Sequence, residues 1–454
     1  MGKKARLKKI KQSEPADNRP HSHIAAIEAG KPAERIILII LLSSIIALGA
    51  TLRVYNLGNV PARSPDEMVY TGQAKTVAIE GLKGIRGLVQ EYNSTQELWK
   101  YPPPTRVGYI SMLAVAMKLA GTYDPLAGAY LSCFLSIITL FLLIAVGLRF
   151  FNGWITAAAL LFISVSPMSL AVARRSWQES VLSFMGLILI YLACEITRNC
   201  KNVIPVILFV VFGSLTMLIK STGVVIYGLC GIWLLWVLFI RDRSFSGGFL
   251  LIVSGALGAG VSGLVLVHLV GGVPALKDAL AHFNWGVTTS EYARDYASGP
   301  WYRFFDILWL LTPVNAVIFF VGVAGVLFFR KDKRLGELTS MLESGKGAAL
   351  GIIFFIAGLM AVLFVTKEHP LNWRYVGALD GPFYILSATG LWIIALSLKA
   401  AVKGYGFAFV GSCIVAAAIF SAINDYRNFD KIIVSTGIKD LSIRLLKEAG
   451  ASVR

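Results

Sequence analysis

Long apolar runs separated by short polar links recur along almost the whole chain. The runs are Ile36–Leu52, Leu126–Leu148, Ile155–Ala171, Val181–Ile196, Val203–Leu218, Gly223–Ile240, Phe249–Val270, Ile307–Phe329, Ala348–Val365, Val376–Leu398 and Gly404–Ala422. Runs of this kind match the roughly 20 residues a helix needs to cross about 30 Å of hydrocarbon. The pattern predicts an all-α polytopic membrane protein of about eleven transmembrane helices, with juxtamembrane helices in its first outer loop. Composition agrees: 56% of the 454 residues are hydrophobic, more than a soluble domain could cover with polar surface.

Charge sets the orientation. The Lys/Arg-rich start (Lys3, Lys4, Arg6, Lys8, Lys9, Lys11) makes residues 1–35 a basic tail held in the cytoplasm. The net charge of +17 lies in this tail and in the links, not on a face with interleaved aromatics, so nucleic acid is not an expected partner. Those cations read as orientation signals and as contacts to anionic membrane lipids. A basic polar start leading into a full-length span predicts no cleavable signal peptide. Cys133, Cys194, Cys200, Cys230 and Cys413 show no metal-like spacing and read as packing residues or free thiols.

One segment decides the topology. Val107–Ala120 is apolar but only about fourteen residues long, and it contains Lys118. Were it to span, Arg198/Lys201, Arg241/Arg243 and Arg330/Lys331/Lys333/Arg334 would all face outward, against the positive-inside tendency. It is therefore expected to lie at the outer interface. A transmembrane domain over 36–422 then displays a first outer loop (53–106), the interfacial helix (107–120) and a second large outer loop (271–306). A short outer tail (423–454) follows, with an amphipathic pattern at Ile438, Leu441, Ile443, Leu445 and Leu446.

The candidate chemistry gathers on that outer side. Ser64-Pro65-Asp66-Glu67 opens the first loop as a helix start, with two carboxylates at its positive end. Such acids can be mere first-turn residues, but here they follow a membrane helix and face other polar outer stretches. Arg174 and Arg175 stand at an outer helix end, against the charge bias. They fit either a lipid phosphate, which a guanidinium fork binds bidentately, or head-group snorkelling and an Arg174–Glu179 ion pair. Lys220 and Arg374 are further outward cations; His369 reads as a loop residue, and Asp380 as an intramembrane carboxylate. The aromatics of 271–306 suit sugar rings and an interfacial belt equally.

Taken together, these motifs resemble the GT-C glycosyltransferases, in particular the branch of protein O-mannosyltransferases and lipid A aminoarabinose transferases. The resemblance spans about Arg35 to Ser397. It rests on "SPDEMVY", "YPPPTRVGYISML", "LRFFNG", "SPMSLAVARRSWQES", "KSTG" and "NWRYVGALDGPFYIL". It implies Asp66 as catalytic base and Glu67 as a positioning acid. Arg174 and Arg374, with Lys220, would hold the carrier's phosphate, with Arg175, Glu179 and Tyr375 beside them. Glu179 stands where the family usually has Asp, and Gly377 and Asp380 stand where relatives are apolar with prolines.

The implied reaction matches what these residues can supply. The donor would be a lipid-phosphate-linked sugar, whose phosphate leaves without protonation, so one base and several cations suffice. A glycosidase needs two carboxyl groups because its leaving group is an alcohol. The expected step is a single inverting displacement on a glycan, lipid or protein acceptor, at the outer face of a bacterial inner membrane. No cofactor is expected. A divalent metal would have to use Asp66 with Glu179, too few clustered ligands to predict one. The rival reading is a transporter or lipid-carrier flippase, which calls for paired broken-helix repeats and several mid-span charges; only Asp380 is of that kind.

Overall fold

A computed structural model describes residues 32–59, 64–199, 202–289, 303–328, 336–365, 377–401 and 406–434. All the regular structure among them is helical. The chain enters through α1 (Pro32–Val54) and turns back in α2 (Pro65–Glu80), α3 (Gly84–Ser94) and α4 (Val107–Ala120). It continues through α5 (Pro125–Phe150), α6 (Gly153–Val165), α7 (Pro167–Ala173), α8 (Glu179–Arg198) and α9 (Val203–Ile219). Then come α10 (Ser221–Trp236, prolonged to Arg241), α11 (Phe245–Val270), α12 (Val273–Thr289) and α13 (Arg303–Leu311). The chain closes with α14 (Pro313–Phe328), α15 (Gly336–Val365), α16 (Asp380–Ala401) and α17 (Gly406–Asn428).

Seven of these helices are long and apolar enough to cross a membrane, or eight if the bent pair α6–α7 counts as one span. The expected total of eleven is not reached by length and composition. The run Ile307–Phe329 divides at Pro313, which has no N–H to give and crowds the preceding turn, so α13 and α14 form instead. Helix α9, at 17 residues, spans about 25 Å at 1.5 Å per residue. The last helix runs beyond the expected Ala422 to Asn428. Large side chains of α11, among them Phe249, Leu257, Val261 and Leu264, stay exposed, as a lipid-facing helix requires. Cys133, Cys194 and Cys230 are free and buried. The basic tail, apart from its last residues, and the expected C-terminal amphipathic helix lie outside the described residues.

Helix α4 has the bounds predicted for it. Tyr109, in its first turn, approaches the Ser176 hydroxyl at 3.4 Å. Gly128, in the first turn of α5, lies so close to Ser176 that a Cβ there would sit 1.9 Å from Oγ. Both ends of the α4 excursion therefore meet the same residue.

Pro167 bends α6–α7 by 59° and leaves the Ile163 carbonyl without its helical donor. Arg53, wholly buried at the end of α1, fills that vacancy. Its Nη2 donates to Ile163 O (3.1 Å) and Ser169 Oγ (2.7 Å), its Nη1 to Gly49 O (3.0 Å) and Ser164 O (3.1 Å), and its Nε to Ser136 Oγ (2.7 Å). All five donors of the guanidinium are used. Helices α14 and α16 touch backbone to backbone: a Cβ on Gly322 would stand 2.1 Å from Leu386 O.

Candidate active site

The polar residues collect where α1 ends and α2, α5 and α8 begin. Ser64 precedes the first turn of α2, Pro65 opens it, and Glu67 reaches back to accept from the Ser64 N–H at 2.7 Å. That is the usual use of an acid at the third helical position. Here the same carboxylate does more. Its Oε2 also accepts from Arg175 Nη1 (3.0 Å) and its Oε1 from the Ser176 N–H (2.8 Å). Trp177 Nε1 donates to Ser64 Oγ (3.0 Å), and Gln178 Nε2 donates to the Tyr70 hydroxyl (3.0 Å). The 175–178 turn is thus sewn onto the start of α2. Glu67 is fully buried, while Asp66, beside it in the same turn, is half-buried.

A second ion pair lies next to the first. Glu179 opens α8, and its Oε1 accepts from Lys220 Nζ at 2.8 Å, with both side chains almost fully buried. Gly377, which leads into α16, faces Glu179, where an added Cβ would lie 3.4 Å from the Glu179 Cβ. Arg374 and Tyr375 lie outside the described residues. Buried pairs of this kind gain little net stability, but removing one partner strands a charge at a cost of several kcal/mol.

Arg174 is placed differently from its neighbour. Its guanidinium donates to Leu52 O (3.1 Å), Tyr55 O (2.6 Å) and Asn56 O (3.1 Å), carbonyls that the end of α1 leaves without helical donors. The alternative in which Arg174 pairs with Glu179 meets a different arrangement: the Glu179 Oε1 accepts from Lys220. Of the expected residues, the fold unites Glu67 with Arg175 and Glu179 with Lys220, and assigns Arg174 to the end of α1.

Two contributors escaped the sequence reading. Arg106, just before α4, holds its guanidinium 5.5 Å from the Tyr70 ring and 6.0 Å from the Phe283 ring of α12. Tyr109 stands edge-on to Tyr70 at 5.2 Å and feels the charges of Glu179, Glu67 and Arg106. Burial holds its hydroxyl well above the ordinary tyrosine range, so it stays a neutral donor. Arg106 was legible by the logic applied to Arg174 and Lys220, a cation at the mouth of an apolar helix. Among the described residues no three His, Cys, Asp or Glu side chains gather closely enough to hold a metal ion.

No family model matches the sequence, and no curated protein does. Solved structures do match. ArnT from Cupriavidus metallidurans bound to undecaprenyl phosphate superposes with a TM-score of 0.54 at 12% identity, over 93% of this chain and 78% of ArnT. The fold is GT-C. The archaeal oligosaccharyltransferase AglB from Archaeoglobus fulgidus, in complex with an inhibitory peptide and a dolichol-phosphate, gives a TM-score of 0.50 at 11% identity over 89% of this chain. The arabinosyltransferase EmbB from Mycobacterium smegmatis gives 0.50 at 14% over 98%. The chain spans only 56% of AglB and 42% of EmbB. A GT-C fold with this set of apolar helices makes the chain a multi-pass membrane protein.

Proposed function

We propose that this GT-C protein is a glycosyltransferase that moves a sugar from a polyprenyl-phosphate carrier to an acceptor hydroxyl, with inversion, at the extracytoplasmic face of a plasma membrane. The observation that carries the reading is the seat of the acidic first turn of α2. Glu67 is held by Ser64, Arg175 and Ser176, so Asp66, half-buried in the same turn, is carried by an anchored neighbour. A base so placed can take the acceptor's proton while the carbon–oxygen bond to the departing phosphate breaks.

Arg106 and Arg374 serve as the phosphate clamp in this proposal, and Lys220 and Arg175 supply positive potential through their pairs with Glu179 and Glu67. Support comes from the ArnT and AglB structures, which hold undecaprenyl phosphate and a dolichol-phosphate respectively. The reaction as written needs no cofactor. The test is incubation of purified protein with radiolabelled polyprenyl-phosphate sugars and an envelope-lipid or glycan acceptor extract. Release of free polyprenyl phosphate with label in the acceptor is the expected result. Movement of intact lipid-linked sugar between leaflets without that release would establish the carrier-flippase alternative instead.

A further inference from the structure

Away from Glu67 and Arg175, a cavity of about 260 Å³ opens between α7, α13, α14, α15 and α16. Among the described residues its wall is apolar, with Phe319 and Phe320 from α14, Ala357 and Met360 from α15 and Phe383 from α16, and with a single carboxylate, that of Asp380. Asp380 is only 4% exposed, and among the described residues no hydrogen bond reaches its side chain. A buried carboxylate left so is costly unless something supplies a donor.

The nearest compensating charge cannot supply one. Arg53 interacts electrostatically with Asp380, yet all five of its N–H groups are already given to neutral oxygens of α1, α5, α6 and α7. Asp380 therefore has only a distant compensating charge, and it lines the cavity. A phosphate here would face an apolar wall and, among the described residues, no guanidinium with a donor to spare. A neutral hydroxyl would complete the carboxylate's hydrogen bonding, and an attached hydrocarbon chain would fill the rest.

We infer that this cavity binds a lipid alcohol, an apolar chain ending in a hydroxyl that donates to Asp380, and that it discriminates against the corresponding phosphate ester. Such binding requires no turnover, so it stands or falls separately from glycosyl transfer.

The test uses the full-length protein in detergent and three photoreactive probes of one chain length: a diazirine-bearing C16 alcohol, its phosphate monoester and the alkane without a head group. Labelled sites are mapped by mass spectrometry. The alcohol is expected to label the segments around Phe319, Met360 and Phe383 at least about fivefold more than either other probe. Asp380→Leu should reduce alcohol labelling to the alkane level. Asp380→Asn should retain most of it, because the amide oxygen still accepts. Ala357→Phe, with folding checked by thermal unfolding, should fill the space and abolish labelling. Equal labelling by alkane and alcohol would reduce the cavity to a plain lipid groove and overturn the inference. So would phosphate labelling as strong as that of the alcohol, or alcohol labelling that survives Ala357→Phe.

Discussion

Glu67 and Arg175 meet at 3.0 Å across 108 residues of sequence, and through that contact the start of α2 and the turn before α8 become one rigid unit. Glu67 is wholly buried and Arg175 nearly so, so neither can be removed without stranding the other. In the proposed reaction Glu67 is thereby a positioning group, and Asp66, half-buried beside it, is the base.

Asp66→Asn keeps the shape and removes the base. Turnover of a lipid-linked sugar is expected to fall by about 10²–10⁴-fold, the usual worth of a placed general base, with an unchanged unfolding temperature. A folded variant with near wild-type turnover would take Asp66 out of the mechanism.

Removing one member of either buried pair should cost about 3–5 kcal/mol, and removing both should cost much less. Lys220→Met alone is expected to unfold at a clearly lower temperature in detergent, with Lys220→Met/Glu179→Gln recovering much of the loss. The same order should hold for Arg175→Met against Arg175→Met/Glu67→Gln. Additive losses in the double variants would show that the contacts at 2.8 and 3.0 Å are not coupled.

Arg106→Met should weaken the lipid-phosphate donor more than it slows the chemical step. A charge-assisted hydrogen bond is worth about 1.5–3 kcal/mol, so the donor KM should rise by about tenfold or more while kcat changes less. Arg106→Lys should recover part of the affinity. A KM unaltered by Arg106→Met would assign the phosphate to other cations.

Gly128→Ala tests how tightly the site is supported from behind. The new methyl would meet Ser176 Oγ at 1.9 Å, and the Ser176 N–H is one of the donors that seat Glu67. The overpacking should cost about 1–3 kcal/mol. A shift of about 1 Å at the base would lower turnover by roughly 10²-fold. Ser176→Gly, by emptying that space, should restore part of the activity; full activity in Gly128→Ala would show that the turn is free to move.

The architecture was largely legible before any coordinates, because a membrane helix is a local statement: some twenty apolar residues, with every backbone group satisfied inside the segment. Val107–Ala120 was recognised with its bounds from length and charge alone, and the acidic pair from its place after the first span. The count of eleven spans is not confirmed among the described residues, where Pro313 divides one run and helices such as α9 are short.

What one-dimensional reading could not reach was who holds whom. Glu67 and Asp66 are identical in kind and adjacent, yet Ser64, Arg175 and Ser176 make one a buried strut and leave the other half-buried. Arg174 and Arg175 are equally alike, and only the folded chain turns one to the carbonyls ending α1 and the other to Glu67. Periodicity and composition set which segments are apolar enough to cross, since that depends on transfer from water to lipid, residue by residue. Partnership depends on directional contacts between segments 41 to more than a hundred residues apart, and these exist only once the helices have packed.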